Sequence, residues 1–386
     1  MRRQGVCLVG YGETPYVRPR GGDQRSYLYY MTEAIKAVLD NAGLQKKDID
    51  GFAAVAGINW VEDSPFVAEH LGLELDWIMK GDFGGASGIY AIRRAADAIQ
   101  VGQIEVAVIA AGDIFFLGPG AGLASRVGVS YQDAFGWGGP NSRFGMIQRR
   151  YMHDRGVTLE QLGKFRLAFS KNGQRNDHAM AHDYLSMEHY LHSRMISDPV
   201  RLFDCCRPCS GGGAVIVASE RKAKELMEHP VYVVSDAEKT NYAVSEPLPD
   251  QMIMGFKAIA DELFSAGVSR DDVDVFELYD DYPVAMPMTL ESLGFIERDK
   301  VGEFIDSHDF SFEGDFPINT SGGQLAEGQA GLGGGLVGVI EAVRQLKGEG
   351  GAHQVTGAKT ALVTGLGSFS YVLTLACWGA MILQRR

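Results

Sequence analysis

Cysteine spacing is the first feature of the sequence that suggests chemistry. Of five cysteines, three are crowded at Cys205, Cys206 and Cys209. An odd number with this crowding is not typical of a disulfide framework. The Cys206-x-x-Cys209 spacing is one half of a zinc ribbon, but no second Cys or His pair lies at a suitable distance, so we predict no metal site. The sequence alone assigns no role to these three thiols.

A second group of reactive side chains follows a predicted strand that begins at Val275. The segment reads Tyr279-Asp280-Asp281-Tyr282. Ligands collect at the C-terminal ends of strands in open α/β sheets, which makes Tyr279 a candidate for a chemical role. Packing of the two tyrosines in a core is the alternative.

Composition excludes several classes of function. The formal net charge of -13 argues against nucleic acid as a partner, because phosphate binding depends on clustered Lys and Arg. The apolar run at 6–10 follows a basic pair but is too short for a signal segment or a membrane span, so it predicts a first strand. We therefore expect a cytoplasmic protein that contacts neither nucleic acid nor membrane.

The chain of 386 residues is long enough for two compact halves. Strands and helices alternate along most of it, which is typical of the α/β class with helices covering a largely parallel sheet.

The two halves repeat the same order of elements. Each has a helix ending at a glycine, an aspartate at the same offset, and a strand, followed by a glycine-rich turn, a helix and a buried strand. In the first half these segments are 31–43, Asp50, 51–55, 84–88, 89–99 and 106–112, and in the second half 255–267, Asp274, 275–279, 321–323, 336–346 and 360–365. The register of glycine and aspartate predicts an internal duplication of a βαβαβ unit.

The duplication also predicts the domain boundaries. We expect an N-terminal half at 1–228 and a C-terminal half at 229–386. The first includes an insertion at about 118–201 that is rich in His, Met, Tyr and Arg, which we expect to cover the substrate-facing side.

This duplicated layout resembles the thiolase superfamily over nearly the whole chain. It is most similar to the sterol carrier protein X thiolase-like branch, with its benzoylsuccinyl-CoA thiolase-like and steroid side-chain aldolase-like members, through residues 6–15 and 195–204. The resemblance implies a layered α/β/α/β/α fold and carbon-carbon bond chemistry on CoA thioesters in a degradation pathway. Coenzyme A would then be part of the substrate, with no permanently bound cofactor.

The first motif of the family normally places a nucleophilic cysteine in Cys-x-x-Gly at the start of a helix. This sequence reads Gly85-Ala86-Ser87-Gly88, so Gly85 occupies the place of the nucleophile and no acyl-cysteine can form there. We expect Ser87 to serve the turn and the helix start rather than to replace the thiol.

The second and third motifs are present with altered chemistry. By resemblance, Tyr279 takes the position of a residue that orients a catalytic water, Asp280 holds the loop through backbone hydrogen bonds, and Tyr282 completes the motif. Asn319 opens the third motif, in which Gln329 stands where the family has an oxyanion-hole histidine. An amide still donates a hydrogen bond, but it accepts no proton at neutral pH.

The fourth motif, Cys-x-Gly, is matched by Cys377-Trp378-Gly379 in a turn before the last strand. In thiolases this thiol moves the proton at the substrate α-carbon. The resemblance therefore implies a catalytic set in which Tyr279 exchanges a proton with a hydroxyl or carbonyl oxygen, Gln329 donates to the thioester oxygen and Cys377 serves the α-carbon.

Three functions remain open. Our first hypothesis is an unusual thiolase-type acyltransferase acting on a bulky acyl-CoA, although a covalent thiolase needs two thiols or a thiol and a base. The alternative is a retro-aldolase of the steroid side-chain type, which needs only a base and a stabilised enolate. Those aldolases place a tyrosine where this chain has Gln329. The third hypothesis is a non-catalytic thiolase-like subunit.

The resemblance also implies partners. We expect a homodimer, because the family pairs its sheets across a two-fold axis. Relatives with an altered catalytic set work with a small zinc-ribbon plus OB-fold protein, so we expect such an accessory subunit and a heterotetramer.

Overall fold

The computed structural model describes residues 5–18, 25–55, 64–114, 139–243, 250, 252–367 and 375–386. The strands are β1 (Val6–Glu13), β2 (Gly51–Val55), β3 (Trp77–Gly81), β4 (Val106–Asp113), β5 (Met195–Ser197), β6 (Val200–Arg201), β7 (Gly211–Ser219), β8 (Val231–Thr240), β9 (Val275–Glu277), β10 (Thr360–Gly367) and β11 (Cys377–Arg385). The α-helices are α1 (Tyr27–Ala42), α2 (Ser64–Leu71), α3 (Ser87–Gln100), α4 (Gly139–Arg155), α5 (Leu159–Gly173), α6 (Met187–Leu191), α7 (Glu220–Leu226), α8 (Ala260–Phe264), α9 (Ala285–Leu293), α10 (Val301–Ser307), α11 (Gly323–Ala326) and α12 (Gly334–Lys347).

The strand order shows the duplication directly. The main sheet runs β3-β2-β4-β7-β1 in the first half and continues β8-β11-β10-β9 in the second. The first half pairs β2 with β4 in parallel and then β4, β7 and β1 antiparallel. The second half repeats this with β9, β10, β11 and β8. In the first half β3 pairs with β2 in parallel. The second half has at the equivalent place a single parallel bridge, between Phe276 and Ile318.

Equivalent aspartates tie equivalent strands in the two halves. The Asp50 carboxylate accepts hydrogen bonds from the backbone N–H groups of Glu105 and Val106, both at 2.8 Å. The Asp274 carboxylate accepts from the N–H groups of Lys359 and Thr360, at 2.8 and 2.9 Å. Each aspartate therefore joins the start of one strand to the start of its parallel neighbour, and the predicted internal duplication is confirmed.

Alternate faces of the strands bury two different cores. On β1, Val6 and Leu8 face a central core that α3 and α12 share with strands of both halves. Cys7 and Val9 face an outer core with α1, α2 and α7. A third core covers the other side of the second half with α8, α9 and α10. The layers follow the order α/β/α/β/α, which confirms the predicted fold class.

Glycines let the two central helices meet backbone to backbone. A Cβ placed on Gly88 would lie 2.5 Å from the carbonyl oxygen of Gly335, and one placed on Gly335 would lie 2.4 Å from that of Gly85. Side chains at these positions would force the helices apart. The turn at 83–87 is consequently pressed against the start of α12, where the candidate site is found.

The described part of the insertion packs on the second half. Phe144 of α4 stacks on Tyr282 with ring centroids 3.9 Å apart, and Phe165 of α5 stacks on Phe310 at 4.3 Å. The described part of the insertion therefore covers the loop that follows β9. Its part at 118–138 lies outside the described residues.

The second-half helix differs from the prediction. Instead of one helix over 255–267, the chain forms a 3₁₀ turn at Gly255–Ala258 and then the short helix α8. Ile259 between them has φ -112° and ψ -5°, which interrupts the α-helical hydrogen bonds. Gly43 caps α1 in the left-handed conformation as predicted, whereas α8 ends at Phe264 with Ser265 as its C-cap, before Gly267 is reached. Packing of Gly255 against the Trp378 ring explains the difference, since tertiary contacts override local helix preference.

Candidate active site

Tyr279 occupies the space beside Gly85. The tyrosine follows β9, and its backbone N–H donates to the Thr364 hydroxyl of β10 at 3.1 Å. A Cβ placed on Gly85 would meet three atoms of the Tyr279 side chain, with the ring carbon Cζ at 2.0 Å and the hydroxyl oxygen at 2.2 Å. A side chain at position 85 and the present position of Tyr279 therefore exclude each other.

The amide of Gln329 is the centre of a polar cluster around this tyrosine. Its Nε2 donates to Asp281 Oδ1 at 2.6 Å, to Gln324 Oε1 at 2.9 Å and to the Tyr279 hydroxyl at 3.4 Å. An amide nitrogen carries two hydrogens, so one serves Asp281 and the other is shared. On the other side, the thiol of Cys206 donates to Gln329 Oε1 at 2.8 Å.

Burial adjusts the acid strength of this cluster. Burial, and then the nearby Asp281 carboxyl, raise the pKa of Tyr279 well above its usual value, so the phenol keeps its proton. Burial also raises the pKa of Asp281 to about 7, against the lowering effect of hydrogen bonds from Gln329 and Tyr279. A carboxylate that titrates near neutral pH beside a phenol can act as a general base through it.

Asp280 and Asn319 hold the backbone of the site. The Asp280 carboxylate accepts hydrogen bonds from the N–H groups of Gln324 and Leu325 at 2.9 and 3.2 Å, and burial raises its pKa to about 7. The Asn319 side chain accepts from the Leu278 N–H at 2.7 Å and donates to the Leu278 carbonyl at 2.8 Å. These contacts fix the strand end that carries Tyr279.

Tyr282 and Ser87 make hydrogen bonds to groups beside the cluster. The Tyr282 hydroxyl donates to Asn141 Oδ1 at 2.5 Å while its ring stacks on Phe144. The Ser87 hydroxyl donates to the Gly84 carbonyl at 2.7 Å and accepts from the Phe83 N–H at 2.8 Å. Ser87 thus closes the turn before α3.

Cys377 lies on another side of the same turn. It is the first residue of β11, not part of a turn as predicted, and it packs with Ala86 and Phe83. Gly379 is needed nearby, because a Cβ there would lie 2.9 Å from the Ile89 side chain. Residues 368–374, which connect β10 to β11, lie outside the described residues. The structure thus brings Tyr279, Gln329 and Gly85 together and places Cys377 against the turn that carries Gly85.

Sequence reasoning missed three members of the cluster, which are Asp281, Gln324 and Cys206. Asp281 was visible as the second carboxylate of the Asp280-Asp281 pair. Cys206 was visible only as a crowded cysteine, and its contact with Gln329 spans 123 residues of sequence. Position in the chain alone could not reveal that contact.

A small pocket adjoins the cluster. Tyr279, Asp280, Gln324 and Thr364 line it together with Gly334 at the start of α12. Among the described residues, no three His, Cys, Asp or Glu side chains converge to hold a metal ion. Across the described ranges, the helices fall short of the length and apolar character that a membrane span requires.

Comparison with known proteins agrees with this architecture. The family model described as Thiolase C-terminal domain-like matches residues 239–377. A steroid side-chain-cleaving aldolase of Thermomonospora curvata is 30% identical over 366 residues, which cover 89% of this chain and 90% of that protein. A 17-hydroxy-3-oxo-4-pregnene-20-carboxyl-CoA lyase of Mycobacterium tuberculosis is 30% identical over 93% of this chain and 95% of its own length.

The fold comparison points in the same direction. The solved structure described as Ltp2-ChsH2(DUF35) aldolase superposes with a TM-score of 0.86 and 26% identity, covering 99% of this chain and 98% of that one.

Proposed function

The chain belongs to the thiolase superfamily and is an enzyme of that family, and from this premise we propose that it cleaves a β-hydroxyacyl-CoA by a retro-aldol reaction. Thiolase-type acyl transfer was our first hypothesis from the sequence. The geometry of the site favours the second.

One observation carries this proposal. A phenol ring occupies the space in which the family has its nucleophilic side chain. The Tyr279 ring fills the volume that a side chain at position 85 would need. A covalent acyl transfer would require a thiolate at that place. An aldol cleavage requires no nucleophile, and a phenol coupled to a base is the group that it does require.

The reaction balances without any further reactant. The Tyr279 oxygen takes the proton of the substrate β-hydroxyl as the phenol passes its own proton to Asp281. The bond between the α- and β-carbons breaks, and its electron pair moves to the α-carbon and the thioester oxygen as an enolate. The β-carbon becomes a carbonyl group. The proton then returns through Tyr279 to the α-carbon, which leaves a ketone or aldehyde and a shortened acyl-CoA.

Gln329 supports the pair of Tyr279 and Asp281 in this mechanism. Its Nε2 hydrogens are directed at Asp281, Gln324 and Tyr279. Donation to the thioester oxygen, the role that we predicted from the resemblance, requires one of these bonds to be exchanged when substrate binds. The hydrogen bonds that Asp281 receives from Gln329 and from Tyr279 both lower the free energy of the ionised carboxylate, which keeps Asp281 available as a base near neutral pH.

Acyl transfer stays the second candidate because Cys377 packs against the turn that carries Gly85. The two reactions are distinguished by Tyr279→Phe, Asp281→Asn and Cys377→Ala, assayed on matched β-hydroxyacyl-CoA and β-ketoacyl-CoA substrates. For aldol cleavage we expect the first two to lower kcat by about 10²- to 10⁴-fold and Cys377→Ala to have a mild effect. The wild-type kcat/KM should rise with pH and level off above about 7, where Asp281 is ionised.

Three results would decide against this function. The first is thiolysis of β-ketoacyl-CoA that Cys377→Ala abolishes while Tyr279→Phe retains activity, which would establish acyl transfer. The second is full activity of both Tyr279→Phe and Asp281→Asn, which would place the site elsewhere. An inactive wild type, tested with its accessory subunit, would favour the non-catalytic subunit.

The substrate and partners follow from the same proposal. We propose a bulky acyl group, because the insertion over the site is rich in Met and Tyr. The structure with the TM-score of 0.86 is described as a complex with a DUF35 protein. We accordingly propose a small zinc-ribbon plus OB-fold subunit, a heterotetramer and a cytoplasmic location. Co-expression and pull-down with such a protein tests the association.

A further inference from the structure

We propose that Cys206 is a positioning residue, whose thiol hydrogen bond holds the Gln329 amide in the orientation that Tyr279 and Asp281 need. The inference rests on the proposed aldol function and extends it to a residue outside the family motifs.

The segment that contains Cys206 ties the three polar elements of the site together through its backbone. Each of its links is a main-chain hydrogen bond between 2.8 and 3.2 Å. They join Cys206 N–H to the Asp281 carbonyl, Arg207 N–H to the Gln324 carbonyl, Gln329 N–H to the Arg207 carbonyl, and Cys209 N–H to the Gln329 carbonyl. The main chains of Cys206 and Gln329 are thus held at fixed places relative to each other, and from there the thiol reaches Gln329 Oε1 at 2.8 Å.

The thiol selects one of the two orientations of the amide. With Oε1 on Cys206, the Nε2 hydrogens reach Asp281, Gln324 and Tyr279. Nε2 of Gln329 now lies 2.6 Å from Asp281 Oδ1 and donates to it. A flipped amide would place the oxygen Oε1 at that position, so that two acceptors would face each other. While Asp281 is ionised, repulsion between the two oxygens also opposes the flip.

Protonation of Asp281 removes that second restraint. A protonated carboxyl can donate to the oxygen of a flipped amide, so Asp281 no longer distinguishes the two orientations. This is the state that Asp281 enters when it takes the proton from Tyr279. Burial, followed by the Asp281 charge, raises the pKa of Cys206 well above its usual value, so the thiol keeps the hydrogen that it donates. Cys206, together with the Gln324 oxygen that accepts from Nε2 at 2.9 Å, therefore holds the amide during the step in which Asp281 does not.

The titratable groups around the carboxyl are few in the described part of the site. Tyr279, Asp280 and Tyr282 adjoin Asp281 on the loop after β9, and Cys206 faces it from the segment after β6. Gln324 and Gln329 contribute neutral amides. Loss of the thiol would allow the flipped amide to accept from protonated Asp281. Since that contact stabilises the protonated form, the pKa of Asp281 should rise.

The experiment compares Cys206→Ala with Cys206→Ser and with the matched control Cys205→Ala. The Cys205 thiol lies next in sequence but contacts Asn141 and the Arg201 carbonyl instead. We expect Cys206→Ala to shift the acid limb of the kcat/KM profile upward by about half a pH unit and to lower kcat by roughly tenfold. Cys206→Ser retains a donor and should restore most of both. Cys205→Ala should match wild type.

A second readout does not depend on activity. The infrared S–H stretching band of Cys206, identified as the band lost in Cys206→Ser, should move to higher wavenumber in Gln329→Leu, because its acceptor is gone. An unmoved band, or a Cys206→Ala profile that coincides with wild type, would overturn the proposal. If wild type cleaves no β-hydroxyacyl-CoA, the aldol function fails, and the infrared band alone still decides whether the thiol holds the amide.

Discussion

At the scale of single residues, the proposed replacement of a thiol by a phenol depends on the space that Gly85 leaves for Tyr279. In the proposed function Gly85 stands in the place of a nucleophile, and its lack of a side chain leaves room for the Tyr279 ring, whose atoms are the three nearest to a Cβ at position 85. A side chain at position 85 and the Tyr279 ring in its present place therefore cannot coexist. Gly85, Tyr279 and Gln329 differ from the family motifs, and Tyr279 contacts both of the others, so their contacts explain them as a group.

Gly85→Ala tests this exchange. The added methyl group would lie 2.0 Å from Tyr279 Cζ, so the ring must leave its present position beside Gln329. We expect a loss of about 1–3 kcal/mol of stability, typical of overpacking, and a kcat lowered by about 100-fold or more. Urea unfolding and steady-state kinetics measure both.

The control for this prediction is Gly81→Ala, because a Cβ there meets its nearest atom at an ordinary 3.6 Å. In the background of Tyr279→Ala, the stability penalty of Gly85→Ala should disappear, since the clashing ring is absent. A Gly85→Ala enzyme as stable and active as wild type would show that Tyr279 lies elsewhere.

The sequence showed part of this site and concealed the rest for physical reasons. Gly85, Tyr279 and Gln329 could be found because each departs from a family motif at a defined position. Their mutual contacts could not, because the Tyr279 ring meets Gly85 across almost two hundred positions of the chain. Asp281 was overlooked because nothing local indicates that burial would raise its pKa to about 7.

At the scale of elements, the duplicated aspartates join the parallel strands of each half. Asp50 is half-buried and binds two N–H groups, whereas Asp274 makes the equivalent bonds from an exposed position. Hydrogen bonds to an ionised carboxylate contribute more than neutral ones, and solvent weakens them.

We therefore expect Asp50→Ala to cost about 2 kcal/mol and Asp274→Ala a smaller amount, measured by urea unfolding. Asp271→Ala, at an exposed position on the turn just before Asp274, is the matched control and should change the unfolding free energy by less than about 0.5 kcal/mol. Equal losses at Asp274 and Asp271 would show that the duplicated bond contributes nothing in the second half.

The elements themselves could be predicted where local signals determine them. The glycine cap of α1 depends on neighbouring residues and was predicted correctly. Asp50 could be found by its register with Asp274, but its bond to the start of β4 spans 56 residues of sequence. The division of 255–267 into a 3₁₀ turn and α8 depends on the contact of Gly255 with Trp378 at the other end of the chain. Such a long-range contact leaves no trace in helical periodicity.

At the scale of the whole molecule, the exposed edge of the main sheet suggests how two chains would meet. β3 is the strand at the first-half edge of the main sheet, and in the described structure it pairs with β2 on one side. Ile78 on β3 is 40% exposed and Phe66 on the adjacent α2 is 47% exposed. An edge strand with apolar neighbours is a template for further pairing, and a two-fold axis lets two identical edges pair with each other.

We predict that the protein is a homodimer joined through β3, and that Ile78→Lys produces a monomer, because a charge on the edge strand would be buried in the interface. Light scattering should give twice the chain mass for wild type and the single chain mass for the variant. Val101→Lys is the matched control, because Val101 is 79% exposed beyond the end of α3, and it should stay dimeric. A monomeric wild type would contradict the dimer itself. A dimeric Ile78→Lys would place the interface on another surface and leave β3 as a free edge.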